Sequence, residues 1–195
     1  MSEKPLKLAV IIGSTRKGRF GPVPANWIAE RARAHGDYEV DVIDLMELRL
    51  PVDIGHHEEG EDDYPVVVEL GRRLAAADAF VVVTPEYNHS YPAPLKAAID
   101  YYNDEWNAKP VGFVSYGGMV GGQRAVEHLR QVFPEVHAVT VRDTIALVNY
   151  WGLCDESGAL RESVEADAAA KKLLDQLAWW GRSLRDARNR TPYRR

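Results

Sequence analysis

Apolar and polar positions along this chain alternate between two periods. The runs at residues 6–12, 79–84 and 110–115, mostly apolar over 8–12, 80–83 and 111–114 and rich in valine and isoleucine, read as strands covered on both faces. Tyr38-Glu39-Val40-Asp41-Val42 alternates, and residues 136–141 alternate in part, as expected of strands more open to water. Between these runs the pattern predicts helices over about 22–35, 66–76 and 93–102, and from Gly122 to about Val132. A long final helix is predicted over about 162–188, with Leu173, Leu177, Trp180 and Leu184 at helical spacing on one face. Strands that alternate with helices in this way mark an α/β fold, a parallel sheet with helices on both faces.

The same contrast orders the strands. Strands one, three and four belong inside and strands two and five at the edges. The doubly wound order 2-1-3-4-5 meets that requirement, whereas 3-2-1-4-5 would bury the charges of strand two. The favoured order is flavodoxin-like, and its ligand crevice lies at the carboxyl ends of strands one and three.

Three strand exits carry unusual loops. Gly13-Ser14-Thr15-Arg16-Lys17-Gly18-Arg19-Phe20-Gly21 leads into a helix whose first turn holds Pro22 and Pro24. Backbone amides at a helix start, two hydroxyls and a cluster of Arg16, Lys17 and Arg19 suit a phosphate. The spacing is neither that of the Walker loop nor that of the GxGxxG dinucleotide fingerprint. Pro85-Glu86-Tyr87-Asn88-His89-Ser90-Tyr91-Pro92-Ala93-Pro94-Leu95-Lys96 is stiffened by three prolines and could offer a flat ring a rigid platform, with Tyr87 and Asn88 as contacts. Ser115-Tyr116-Gly117-Gly118-Met119-Val120-Gly121-Gly122 supplies glycines that let backbone approach a ligand closely.

Composition narrows the picture. The 195 residues suit one domain over 1–195 with one sizeable core. A formal net charge of -5 argues against a nucleic-acid partner, and no apolar run reaches membrane-spanning length. One cysteine, Cys154, excludes an internal disulfide framework and suits a reducing compartment. Residues 1–5 show no signal-peptide hydrophobic region, so a cytoplasmic location is expected.

Other features read more plainly. His56, His57, Glu58 and Glu59 lack the spacing of a usual zinc site and read as a solvated loop, so no metal is expected. His128 reads as a surface or packing residue of its helix, and Cys154 as a packed or idle thiol. Residues 144–160 read as a connection, whose Leu147, Val148, Tyr150, Trp151 and Leu153 either cover the core or meet another subunit.

The three loops together resemble the NADPH-dependent FMN reductases, flavodoxin-like flavoproteins. The likeness rests on Gly13-Ser14-x-Arg16, on Pro85-Glu86-Tyr87-Asn88-x-Ser90-x-Pro92-x-x-Leu95-Lys96 and on Ser115-x-Gly117…Gly121-Gly122, and covers roughly residues 6–142. It implies that Ser14, Arg16 and the following turn, with Arg19 and Phe20, hold the phosphate end of FMN. Pro85, Glu86, Tyr87 and Asn88 would line the isoalloxazine, and Ser115, Tyr116, Gly117 and Gly118 would close its other edge. Many members carry serine and asparagine where this chain has Arg19 and Gly21, which would make Arg19 a substitute cationic contact.

The resemblance further implies hydride transfer from NADPH or NADH through bound FMN to a second substrate. Free flavin, a quinone, an azo dye or a metal oxyanion would serve as that acceptor. No side chain is assigned as catalytic acid or base, because the cofactor itself reacts. A homodimer or homotetramer is also implied. The rival readings are a flavodoxin-type electron carrier and a flavin-dependent sensor. The basic loop and modest charge disfavour the carrier, and no added partner domain supports the sensor.

Overall fold

The computed structural model describes residues 4–51 and 64–194; the histidines and glutamates at 56–59 lie outside them. Five strands, β1 (Leu6–Ile12), β2 (Tyr38–Asp44), β3 (Ala79–Pro85), β4 (Pro110–Gly117) and β5 (Val139–Val148), form one sheet in the order β2-β1-β3-β4-β5. All four pairings are parallel. The order inferred from strand polarity is the observed one. Every residue of β3 and β4 is buried, whereas only Tyr38 and Ile43 of β2 are, because an edge strand leaves part of its length to water.

Among the described residues the strands are accompanied by six α-helices: α1 (Pro22–His35), α2 (Leu45–Leu48), α3 (Pro65–Ala76), α4 (Ala93–Asp100), α5 (Gln123–Glu135) and α6 (Val164–Arg190). Helices α1 and α6 bury Ile28, Leu173 and Leu177 against one face of the sheet, with Val10 and Val81. The opposite face buries Ile11, Phe80 and Phe113 under Leu70, Leu95 and Leu129 of α3, α4 and α5. At roughly 1.5–3 kcal/mol for each fully buried large apolar side chain, these two layers supply the main drive for folding.

The fifth strand departs from expectation. The sequence predicts a strand over 136–141 followed by a connection; the strand instead runs to Val148 and its second half pairs with β4. Val111 pairs with Thr140 but Phe113 with Thr144, so β5 carries two extra residues at this point. The charged Arg142-Asp143 interrupts the apolar pattern there and hides the continuation. Ile145 and Leu147 are consequently core residues. A short 3₁₀ turn, Tyr150–Gly152, follows. The two adjacent tryptophans of α6 divide as helical geometry requires: Trp180 packs against the core and Trp179 stands in water.

Candidate functional site

The three unusual loops meet at the carboxyl ends of β1, β3 and β4. The first leaves β1 with the Gly13 amide donating to Val83 O at 2.9 Å, which ties it to the end of β3. Ser14 is fully buried, and its Oγ lies 2.7 Å from Tyr87 Oη, a hydrogen bond between the first and second loops. The Arg16 amide approaches Ser14 Oγ at 3.4 Å and the Arg19 amide donates to Arg16 O, curling the loop into a turn. Among the described residues, the amides of Thr15, Lys17 and Gly18 meet no protein acceptor. Arg16 and Lys17 are exposed, and no acidic partner is found for either among the described residues.

Arg19 behaves differently. Its guanidinium turns to Asp44 at the end of β2, and a second nitrogen reaches Met46 Sδ. Asp44 also caps α2 by accepting from the Met46 amide at 3.0 Å. The cation expected on a phosphate is therefore committed to a protein carboxylate, although its Nε is buried without a partner. Phe20 packs edge-on to Tyr116 with ring centres 5.3 Å apart, and against Tyr150 at 4.6 Å.

The second loop is a tight hairpin. The Tyr87 amide donates to Ser90 O at 2.8 Å, and the Ser90 amide donates back to Tyr87 O at 3.1 Å. Asn88 and His89 between them both have positive φ, 49° and 74°, the pattern of a type I′ turn. Pro85 is buried as the last residue of β3, and the Glu86 amide donates to Tyr116 O at 3.2 Å, joining the second loop to the third. The Glu86 carboxylate accepts from Arg124 Nη1 at 2.9 Å and from the Arg124 amide at 3.2 Å.

In the third loop, Ser115 is buried and donates its hydroxyl to Gly121 O at 2.8 Å, folding the loop back on its strand. Gly122 then opens α5 at a φ of 85°, where a Cβ would stand 2.9 Å from Ser115 Cβ and from the Tyr116 amide nitrogen and carbonyl oxygen. Only glycine meets both demands. A Cβ on Gly118 would meet only Trp151, at 3.6 Å, so this backbone is open to a neighbour. The Tyr116 side chain points beneath the loops into the core. Burial and the nearby Tyr87 hold its phenol well above the ordinary tyrosine range. The Tyr116 hydroxyl has no hydrogen-bond partner among the described residues and faces Gly21, where a Cβ would stand 3.1 Å away.

A family model described as NADPH-dependent FMN reductase matches residues 6–152. The chain belongs to the NADPH-dependent FMN reductase family. An NAD(P)H-dependent FMN reductase of Schizosaccharomyces pombe is 38% identical over 151 residues, spanning 71% of this chain and 76% of the relative. A quinone reductase of Escherichia coli K12 is 36% identical over 150 residues, spanning 72% and 76%. Among solved structures, the flavoenzyme FerB of Paracoccus denitrificans, an NAD(P)H:(acceptor) oxidoreductase, superposes with a TM-score of 0.74. The match is 21% identical and covers 91% of this chain and 98% of that one, which shows a shared fold.

The site fits the family's cofactor. Unanswered amides and two free cations lie on the first loop, as a phosphate requires. The other two loops offer open backbone at Gly118 and a hairpin fixed in shape. Of the residues singled out from sequence, Ser14, Tyr87, Glu86 and Tyr116 are brought together by direct contact, while Arg19 and the Tyr116 ring face protein. Sequence reasoning passed over Arg124, and it left His128 as a bland helix residue. Their four-residue spacing just after the glycine loop was the available signal, since it sets both on one face of the helix.

Proposed function

We propose that this chain is a single-domain FMN-dependent oxidoreductase that moves electrons from NADPH or NADH to a small acceptor, a quinone or free flavin before an azo dye or metal oxyanion. When bound, FMN supplies the two-electron chemistry, accepting hydride from reduced nicotinamide and donating it onward. The protein's part is to bind and orient. The amides of residues 15–18 and the Arg16 guanidinium receive the phosphate, with Lys17 adding positive potential. The hairpin at 87–90 and the backbone of 115–118 hold the ring system, and their polar groups answer charge on its edge without reorganising. No side chain is required as acid or base.

The observation that carries this reading is the contact of Ser14 with Tyr87 at 2.7 Å, which joins the anion loop to the ring platform in a chain of this family. The acceptor class is supported by the identity to quinone reductases. Association into a homodimer or homotetramer belongs to the same reading. Beside the third loop, Met119 is 87% and Trp151 68% exposed, an apolar pair that a second subunit would cover. A cytoplasmic location fits the single cysteine, and no helix among the described residues is long and apolar enough to cross a membrane.

The deciding experiment is an anaerobic absorbance spectrum of FMN-reconstituted protein before and after NADPH. Bleaching of the flavin band, and its recovery on adding a quinone, is the expected result. Bound flavin that only a chemical reductant bleaches would replace this reading with that of a carrier or sensor.

A further inference from the structure

The hairpin at 87–90 is poorly suited to hold itself. A type I′ turn favours asparagine or glycine at its centre, and here the second central position is His89 at a φ of 74°. Two hydrogen bonds between Tyr87 and Ser90 close it; Ser14 holds the Tyr87 hydroxyl and Tyr116 O takes the Glu86 amide, and the remaining outside contacts come from one helix.

Helix α5 touches both ends of the loop. It begins at Gly122 without a side-chain cap of its own, and Glu86 supplies the missing acceptor, taking the Arg124 amide at 3.2 Å and Arg124 Nη1 at 2.9 Å. One turn further, His128 Nδ1 lies 3.0 Å from Ser90 Oγ, and its ring meets that of His89 edge-on with centres 6.1 Å apart. Arg124 and His128 are four residues apart, so a single face of α5 grips residues 86 and 90. The other face is anchored in the core by Val126, Leu129 and Phe133. Between the two grips stand Tyr87, with its hydroxyl on Ser14, and Asn88.

We propose that His128, together with Arg124, is a positioning residue that holds the 87–90 hairpin in the conformation that receives the flavin ring. It touches neither cofactor nor substrate and acts through Ser90. The inference rests on the FMN reading for its consequence, though the clamp itself is a property of the protein alone. A hydrogen bond of this kind fixes the hairpin before the ligand arrives, so its loss lowers affinity through the cost of ordering the loop on binding.

The test is a double-mutant cycle of His128→Phe and Ser90→Ala, with His128→Asn as the conservative variant that can restore the bond. Amide hydrogen exchange at Tyr87 and Ser90 is read on protein without flavin, and FMN affinity is read separately by quenching of flavin fluorescence. Each single variant should speed exchange at both amides and weaken FMN binding roughly five-fold, the size of one ordinary hydrogen bond. The double variant should be no worse than either single one, and His128→Asn should return affinity to within about two-fold of the parent. The bound flavin's reduction potential should move with the His128→Phe and Ser90→Ala changes and return with His128→Asn. Unchanged exchange in both single variants, or strictly additive losses in the cycle, would overturn the clamp. If His128→Phe fails to fold, Ser90→Ala and His128→Asn still decide the exchange result. If the parent protein binds no FMN, the functional reading falls while the exchange cycle still judges the clamp.

Discussion

The two ends of the sheet treat their polar groups in opposite ways. At the amino ends of the strands, Lys109 is buried just before β4, and its ammonium donates to Leu74 O at 2.8 Å and Ala75 O at 2.9 Å, the last carbonyls of α3. Asp78 accepts from the Lys7 amide at 3.0 Å and faces Arg185 at 3.4 Å and Arg188 at 3.5 Å. Asn107 Oδ1 is left over there, but the charges answer one another. At the carboxyl ends, Arg16 and Lys17 have no acidic partner and the amides of Thr15, Lys17 and Gly18 no protein acceptor among the described residues. The first end is finished as protein. The second has the donors of a site without the acceptors, and that difference locates the ligand better than the shape of any cleft.

Substitutions at each end can break this contrast. The largest effect belongs to Gly122→Ala. A Cβ there meets three atoms at 2.9 Å and sits at a φ of 85°, so the protein should lose at least about 2 kcal/mol of stability and much of its FMN affinity. Urea unfolding and flavin titration check both losses, and a neutral result would mean that the third loop has room to move.

Lys109→Met comes next and should separate the two ends. It leaves Ala75 O unpaired and takes a second donor from Leu74 O, which keeps the Ala77 amide, and should cost about 1–3 kcal/mol in urea near neutral pH, with FMN affinity unchanged. Burial, aided by Arg188, lowers the Lys109 pKa to about 8 from 10.5. In that interval the unfolded chain binds the proton more than the native one, so this group's contribution to stability rises with pH. The advantage of the parent over Lys109→Met should widen between about pH 7.5 and about pH 9.5. Equal curves at both pH values would show that the native ammonium titrates as it does in the unfolded chain.

Arg16→Ala should reverse the pattern, leaving the urea midpoint near the parent's and weakening FMN by about 1–2 kcal/mol, with a loss that shrinks as salt is raised. The smallest effect is expected of Arg19→Ala. Because Arg19 is spent on Asp44, FMN affinity should change less than about two-fold, and stability should fall by roughly 0.5–1 kcal/mol. If Arg19→Ala weakens FMN as much as Arg16→Ala does, Arg19 leaves Asp44 for the phosphate when the ligand binds.

How much of this could be read beforehand varies from element to element. The buried strands of the interior announced themselves because both faces are covered, so 79–83 and 111–114 show no polar interruption. The fifth strand did not, because its two extra residues put the charged Arg142 and Asp143 in the middle of the strand, where the pairing with β4 shifts register. Ser14 and Tyr87 were legible as members of special loops. Their hydrogen bond was not, since 73 residues separate them. Arg19 looked like a phosphate ligand because the residue that claims it, Asp44, belongs to another strand.

By itself, the sequence determined what depends on near neighbours and periodicity: the α/β alternation, the interior and edge strands and hence their order, and the three loops with their prolines, glycines and basic residues. These follow from side-chain burial and backbone preference, which act over a few residues. Only the tertiary structure decided the partners. It gave Arg19 to Asp44, Glu86 to Arg124 and Ser90 to His128, and among the described residues it left the Arg16 and Lys17 side chains and the amides of Thr15, Lys17 and Gly18 unanswered. Hydrogen bonds and ion pairs demand contact within about 3–4 Å, and such distances between remote residues are set by how strands and helices pack rather than by any local pattern.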